Sequence, residues 1–229
     1  MRSGGCESGK KHRSSTHVRR IGGFGHGCCD RVACGAMSEP AKEAYGPRGD
    51  ESRHRSIGEL EAGLPALSKA FKETGRVTLI VRRHPDGERE TLDRVRLTVE
   101  EGVPGDGWNR RPPRDPDAQL AVMRREVAEL IANGQPLTLF GDNLFVDLDL
   151  AVANLPIGSR VRVGEAVVVV TPKPHNGCVK FRGRFGDGAL RFVQAKETRD
   201  QNLRGIYWKV VEAGDVGVGD AIEVLARAR

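Results

Sequence analysis

The chain is divided into short apolar segments of period two, and this pattern constrains its fold more than any other feature. Val77, Leu79 and Val81 alternate with less apolar neighbours, His84-Pro85-Asp86-Gly87 offers a turn, and Val95, Leu97 and Val99 alternate again. Alternation puts one set of side chains on one face of a strand, so each segment predicts a half-buried β-strand ended by turn residues. Leu144, Val146, Leu148 and Leu150 continue the series. Strands are then expected over 160–163, 166–171, 206–211 and 222–225, with turns at Gly164-Glu165 and Gly214-Asp215. Many short strands between turns form a barrel or a sandwich. The expected class is mainly β (α+β), with a few helices at the periphery.

Two stretches carry a helical period instead. Ser56-Ile57-Gly58-Glu59 has the S-x-x-E spacing in which each side chain satisfies the other's free backbone donor at a helix start. Ile57, Leu60, Leu64, Leu67 and Phe71 follow on one face, Pro65 is placed to kink or split the helix, and Gly75 to end it. Asp115-Pro116 predicts a second helix start, with Leu120, Met123, Val127, Leu130 and Ile131 on one face, Gly134 as the stop and Pro136 barring resumption.

The 229 residues suffice for one domain with a sizeable core, and the longest run of strongly apolar residues, 166–170, is far too short to span a bilayer. The net charge of +6 invites a nucleic-acid reading, but residues 1–36 hold seven Lys/Arg against two acidic residues and carry nearly all of it. The remainder is close to neutral, so nucleic acid is not an expected partner of the folded part. Four of the five cysteines, Cys6, Cys28, Cys29 and Cys34, also lie in this tail. Without paired cysteines through the fold or an apolar signal segment, a reducing, cytoplasmic compartment is expected.

Segment 1–55 is polar and basic and is expected to be disordered, because its few large apolar residues cannot offset the entropy of ordering. His26, Cys28, Cys29 and Cys34 lack the spaced pairs of a zinc site, and Met37 is the expected true start. A helical segment over 56–75 and a barrel over 76–229 complete the expected organisation.

The chemistry concentrates in Thr171-Pro172-Lys173-Pro174-His175-Asn176-Gly177-Cys178-Val179-Lys180-Phe181. A valine-rich strand runs into a loop stiffened by two prolines, which delivers Cys178 among Lys173, His175 and Lys180. Cationic neighbours favour the thiolate, the form that attacks electrophiles and binds soft metals. A lone cysteine is also commonly a small buried hydrophobe, and residue types leave the two readings even. No phosphate-binding glycine loop and no G-x-S-x-G elbow competes for the assignment, and His54 and His84, in polar segments, are expected to be solvated.

Gly141-Asp142-Asn143-Leu144, Leu155-Pro156-Ile157-Gly158-Ser159-Arg160, Val163-Gly164, the Cys178 loop with Arg184-Phe185-Gly186, Arg204-Gly205-Ile206-Tyr207 and Val218-Gly219-Asp220 follow one another in consistent order. Together they resemble the MOSC domain, named after the C-terminal part of molybdenum cofactor sulfurases, in its stand-alone bacterial type. The resemblance covers roughly residues 76–226, with Gly105-Asp106 matching an early Gly-Asp of the family; Gly107-Trp108 then depart from the Arg and His or Tyr of many relatives.

The resemblance implies a β-barrel in which Cys178 serves as a thiolate ligand of molybdenum or as a persulfide sulfur carrier. It implies the molybdenum cofactor (molybdopterin) as bound group, held by Asn143, His175, Lys180 and Arg204, with Arg204 gripping the pterin phosphate. It also implies a small N-hydroxylated substrate, a separate electron-donor protein or cysteine desulfurase as partner, and no pyridoxal phosphate on this chain, for want of the desulfurase half. Trp108 with Arg110, Arg111 and Arg114 makes either a stacking lid over a flat substrate or a cap on one end of the barrel. Three readings are therefore expected: a molybdenum-dependent oxidoreductase, a persulfide carrier, and a non-catalytic binding protein with a basic tail.

Overall fold

The computed structural model describes residues 47–228 except 68, 85–86 and 111–113, together with the backbone alone at 109 and 110. The tail, its cysteines, the start at Met37 and Arg111 lie outside the described residues, as does the side chain of Arg110.

Seven strands close a mixed barrel: β1 (Thr74–Arg83), β4 (Leu120–Arg124), β5 (Leu144–Val146), β6 (Arg160–Val163), β7 (Ala166–Val170), β8 (Ile206–Glu212) and β10 (Ala221–Ala226). Their order around the wall is β10, β6, β7, β8, β4, β5, β1, and β1 returns to β10 through Thr74↔Glu223. Only the β4 and β5 pair is parallel, with Val122 opposite Leu144. Strand β2 (Arg89–Leu92) extends the far end of β1 as a hairpin, and β3 (Arg94–Leu97) pairs with β9 (Gly214–Gly217) in a separate ribbon.

The period-two patterning builds two cores. Ile80, Leu120, Val122, Leu144, Val146, Val168, Trp208 and Ile222 point into the barrel. Their neighbours Val81, Met123 and Phe145 point outward, onto the helices α1 (Ile57–Gly63), α2 (Arg125–Ala132) and α3 (Val179–Val193). The outer core is aromatic: Phe140 stacks on Phe185 at 4.1 Å and meets Phe145 and Phe181 edge-on or tilted at 6.0 Å. Burying a Leu- or Phe-sized side chain contributes about 1.5–3 kcal/mol, so both faces of the wall stabilise the fold.

The helix start at Ser56 forms as expected, with a reciprocal capping box to Glu59. The helix itself is shorter than its stripe. It ends at Gly63, Leu64–Ala66 form a 3-10 turn around Pro65, and Phe71 is exposed beside Leu148, while Gly75 lies inside β1 rather than ending a helix. A proline within the stripe removes a backbone donor, which accounts for the break.

The second helix also differs from expectation. Asp115-Pro116 caps only the 3-10 turn Pro116–Ala118; Leu120–Arg124 is then a buried strand, and the helix occupies Arg125–Ala132. A short continuous apolar run fits a buried strand as well as a helix, and pairing to β5 and β8 decides between them. α2 ends at its cap Asn133, in the left-handed conformation, followed by Gly134 as the predicted stop. Gly214-Asp215 are strand residues of β9, not a turn, and Leu148 and Leu150 lie beyond the end of β5. Helix α3 was not foreseen. It is broken at Gly186, whose φ of 86° lets the chain turn between two helical pieces.

Candidate functional site

One end of the barrel opens into a cavity of about 440 Å³, within the size range of small-molecule and cofactor sites. Its wall comes from six places in the chain, one of them Ala118 and Ala121 around the start of β4. The β1 hairpin supplies Arg83, His84 and Arg89, the 107–108 turn supplies Trp108, and the approach to β5 supplies Gly141. The 175–185 segment supplies His175, Cys178, Lys180 and Arg184, and the entry to β8 supplies Arg204 and Tyr207.

Cys178 is a free, exposed thiol at the N-cap of α3, where its side chain makes no capping hydrogen bond. The reading as a small buried hydrophobe is thereby excluded. Of the cations expected beside it, Lys180 lines the cavity, whereas Lys173 turns away to an ion pair with Asp115.

His175 folds inward from its loop. Its side chain is only 4% exposed, its ring lies 4.3 Å from that of Tyr207, and its Nδ1 is 3.6 Å from Asp142 Oδ1 with no hydrogen-bond partner. Burial depresses its pKa well below the usual value, reinforced by the positive charges of Arg204 and Arg83, so the imidazole is neutral at pH 7.

Beneath the ring, Asp142 is fully buried and accepts from Arg204 Nη1 at 3.0 and 2.8 Å. Burial raises the pKa of this carboxyl, partly opposed by Arg204, Arg83 and Arg184. Arg204 is held from its other side by the Phe181 ring, 5.0 Å from the guanidinium carbon, and its Nε has no hydrogen-bond partner. The next residue, Gly205, has φ 94°, and a Cβ there would stand 2.1 Å from the Val122 carbonyl oxygen; this close approach brings Arg204 against β4.

The half-buried Arg83 makes a second ion pair, with the buried Asp106, and donates from Nη1 to the Gly141 carbonyl at 2.9 Å. Burial alone would raise the Asp106 pKa, but Arg83 and the backbone N–H groups of Trp108 and Arg83 hold it below the ordinary value. Arg184 donates to the Leu139 and Pro47 carbonyls, and Arg89 to the Gly87 and Glu88 carbonyls. No carboxylate side chain lines the cavity among the described residues, whereas four arginines and Lys180 do. Such a site favours a polyanionic ligand.

Asn143 does not line the cavity. It is fully buried, accepts from Ala121 N–H at 3.1 Å and donates to the Val81 carbonyl at 3.4 Å, tying β1 to β4. His84 contacts Glu90 at the rim and His54 contacts the Arg184 carbonyl, so neither is merely solvated. Trp108 lines the cavity, donates from Nε1 to the Asp115 carbonyl and has Arg114 over its ring at 5.9 Å.

Sequence reasoning thus brought Cys178, His175, Lys180 and Arg204 to one place, and missed Arg83, Arg89 and Arg184 as site residues. Arg184 carried a signal in its position within the Arg-Phe-Gly motif. Arg83 and Arg89 read as ordinary hairpin arginines.

Comparison with known proteins agrees with this architecture. Residues 113–223 match the family model of the MOSC domain. The uncharacterized protein YflK of Bacillus subtilis is 38% identical over 90 residues, which is 38% of this chain and 37% of that protein, well under two thirds of its length. Among solved structures, a hypothetical protein superimposes with a TM-score of 0.50 at 23% identity, covering 67% of this chain and 70% of the other. YuaD of Bacillus subtilis superimposes with 0.51 at 18%, covering 68% and 98%. These two share the fold. With the motif residues gathered at one barrel end and the family model matched across them, residues 113–223 of this chain are a MOSC domain.

Proposed function

We propose that the cavity binds the molybdenum cofactor, a phosphorylated pterin dithiolene, with Cys178 as the protein's thiolate ligand to the metal. The single observation that carries this reading is a soft sulfur donor at the mouth of a cationic cavity that no carboxylate lines among the described residues. Soft thiolates suit metals already held by sulfur, and arginines suit phosphate. A buried nitrogen left without a partner, Arg204 Nε, further marks a pocket built for a polar guest.

When bound, the cofactor supplies two-electron redox chemistry at molybdenum. Arg89, Arg184 and Lys180 would hold the phosphorylated end, and Arg204, anchored by Asp142, would contact the pterin. Trp108 offers an apolar wall against which a flat substrate packs. The overall reaction is reduction of small N-hydroxylated compounds, with electrons from a separate iron–sulfur or flavin protein.

The test is molybdenum and pterin content of the purified chain and its Cys178→Ala variant, both made in cofactor-sufficient cells. Near-stoichiometric metal that is lost in the variant supports the proposal. Metal-free protein that gains one sulfur on Cys178 from a cysteine desulfurase would replace it with the persulfide-carrier reading.

A further inference from the structure

We propose that His175 and Asp142 form a proton relay that carries a proton from the buried floor of the cavity to the ligand above it. The proposal rests on the cofactor reading for what is bound, and on the protein's own geometry for the relay.

Three features of the pair support it. His175 Nδ1 is shut off from solvent, has no hydrogen-bond partner, and has Asp142 Oδ1 at 3.6 Å, a small contraction from a hydrogen bond. Catalytic hydrogen bonds are often long without ligand and tighten when it binds. The ring is fixed against Tyr207, and since it lines the cavity with Nδ1 turned to the floor, Nε2 is the nitrogen left to face the guest; no hydrogen bond to Nε2 exists among the described residues. Asp142 is fully buried, yet both its oxygens accept from one arginine nitrogen, so each keeps a lone pair for the imidazole.

The charged and titratable groups around the pair are Arg204 at the entry to β8, Tyr207 in β8, Arg83 at the end of β1 and Arg184 in α3. Burial disfavours an imidazolium, and the guanidiniums of Arg204 and Arg83 disfavour it further. A relay that never forms one avoids this penalty. It begins with Asp142 protonated and His175 neutral, with hydrogen on Nε2. Nε2 gives its proton to the ligand as Asp142 gives its own to Nδ1, which leaves a neutral imidazole and a carboxylate opposite Arg204. One proton from water reloads the pair. For an N-hydroxylated substrate, the delivered proton goes to the departing oxygen as the N–O bond breaks. Two electrons from the separate iron–sulfur or flavin protein and a second proton from water complete the conversion to amine and water.

Nitrogen NMR of histidine-labelled, cofactor-free protein tests the relay without any turnover. As the pH is lowered from neutrality through the range in which Asp142, its pKa raised by burial, takes a proton, the His175 ring is expected to remain neutral and to switch its hydrogen from Nδ1 to Nε2. A ring that becomes imidazolium in this range, or a tautomer that never changes, would overturn the proposal. In loaded protein, His175→Gln is expected to keep its molybdenum while kcat falls about 100-fold at unchanged KM. Unchanged kcat, or molybdenum lost in proportion to activity, would equally reject it. Should wild-type protein carry no molybdenum, the cofactor reading fails while the NMR result still decides the relay.

Discussion

Arg204→Met isolates the electrostatics of the cavity floor. Methionine keeps an unbranched stem against Phe181 and Met123 but removes the charge opposite Asp142, a side chain with no solvent exposure next to one that is 8% exposed. Removing one partner of a buried ion pair costs about 3–5 kcal/mol, because the remaining charge is neither hydrated nor compensated. That is a large share of the ~5–15 kcal/mol that holds a typical domain folded.

The pH dependence has a definite sign. Burial already raises the Asp142 pKa above its unfolded value near 3.8, and loss of Arg204 raises it further. A carboxyl that binds its proton more tightly in the native state makes stability fall as pH rises above the unfolded pKa. The deficit relative to wild type should therefore be smallest near pH 4 and grow toward neutrality. Urea unfolding at several pH values measures it, provided the denaturant slope is unchanged. Adding Asp142→Leu should restore most of the loss at pH 7. A single-variant deficit under about 1 kcal/mol that is flat with pH would refute the reasoning.

Two glycines predict opposite outcomes in thermal melts. Gly205→Ala should destabilise by at least about 2 kcal/mol, since it combines a positive φ with a Cβ driven into the Val122 carbonyl. Gly183→Ala, with open space around its Cβ inside α3, should stabilise by about 0.5–1 kcal/mol; a loss there would contradict the assigned helix. Arg89→Ala should weaken cofactor retention about tenfold or more, read as molybdenum lost on dialysis, and equal retention would remove Arg89 from the phosphate grip.

Much of the barrel was legible because strand alternation is a local property. β6 and β7 fall within one residue of expectation, and the turn between them sits at Gly164-Glu165. The segment 120–131 misled because Leu120, Met123, Val127 and Ile131 fall at helical spacing by coincidence. Leu120 and Met123 belong to opposite faces of a strand, a fact fixed by pairing with β5 and β8 and absent from the local pattern. Phe181, Phe185, Ala189 and Phe192 do mark one face of α3, but Gly183, Gly186 and Gly188 among them read as loop.

The site was partly legible for a similar reason. Cys178, His175 and Lys180 lie within six consecutive residues and came together at once, and Arg204 joined them through the family resemblance. The direction in which a side chain points was not legible: Lys173 turns to Asp115, Asn143 ties two strands, and His175 folds inward. Arg83 and Arg89 reach the cavity only because the β1 hairpin extends past the barrel rim, which depends on strand length and closure.

The central claim is that Cys178 ligates the metal of a cofactor seated in the cationic cavity. Diffraction from crystals of cofactor-loaded protein, with data on both sides of the molybdenum absorption edge, locates that metal directly. The account predicts one anomalous peak at bonding distance from Cys178 Sγ, with phosphate density among Arg89, Arg184 and Lys180. A fully occupied molybdenum peak elsewhere, or one that persists unmoved in Cys178→Ala, would contradict it.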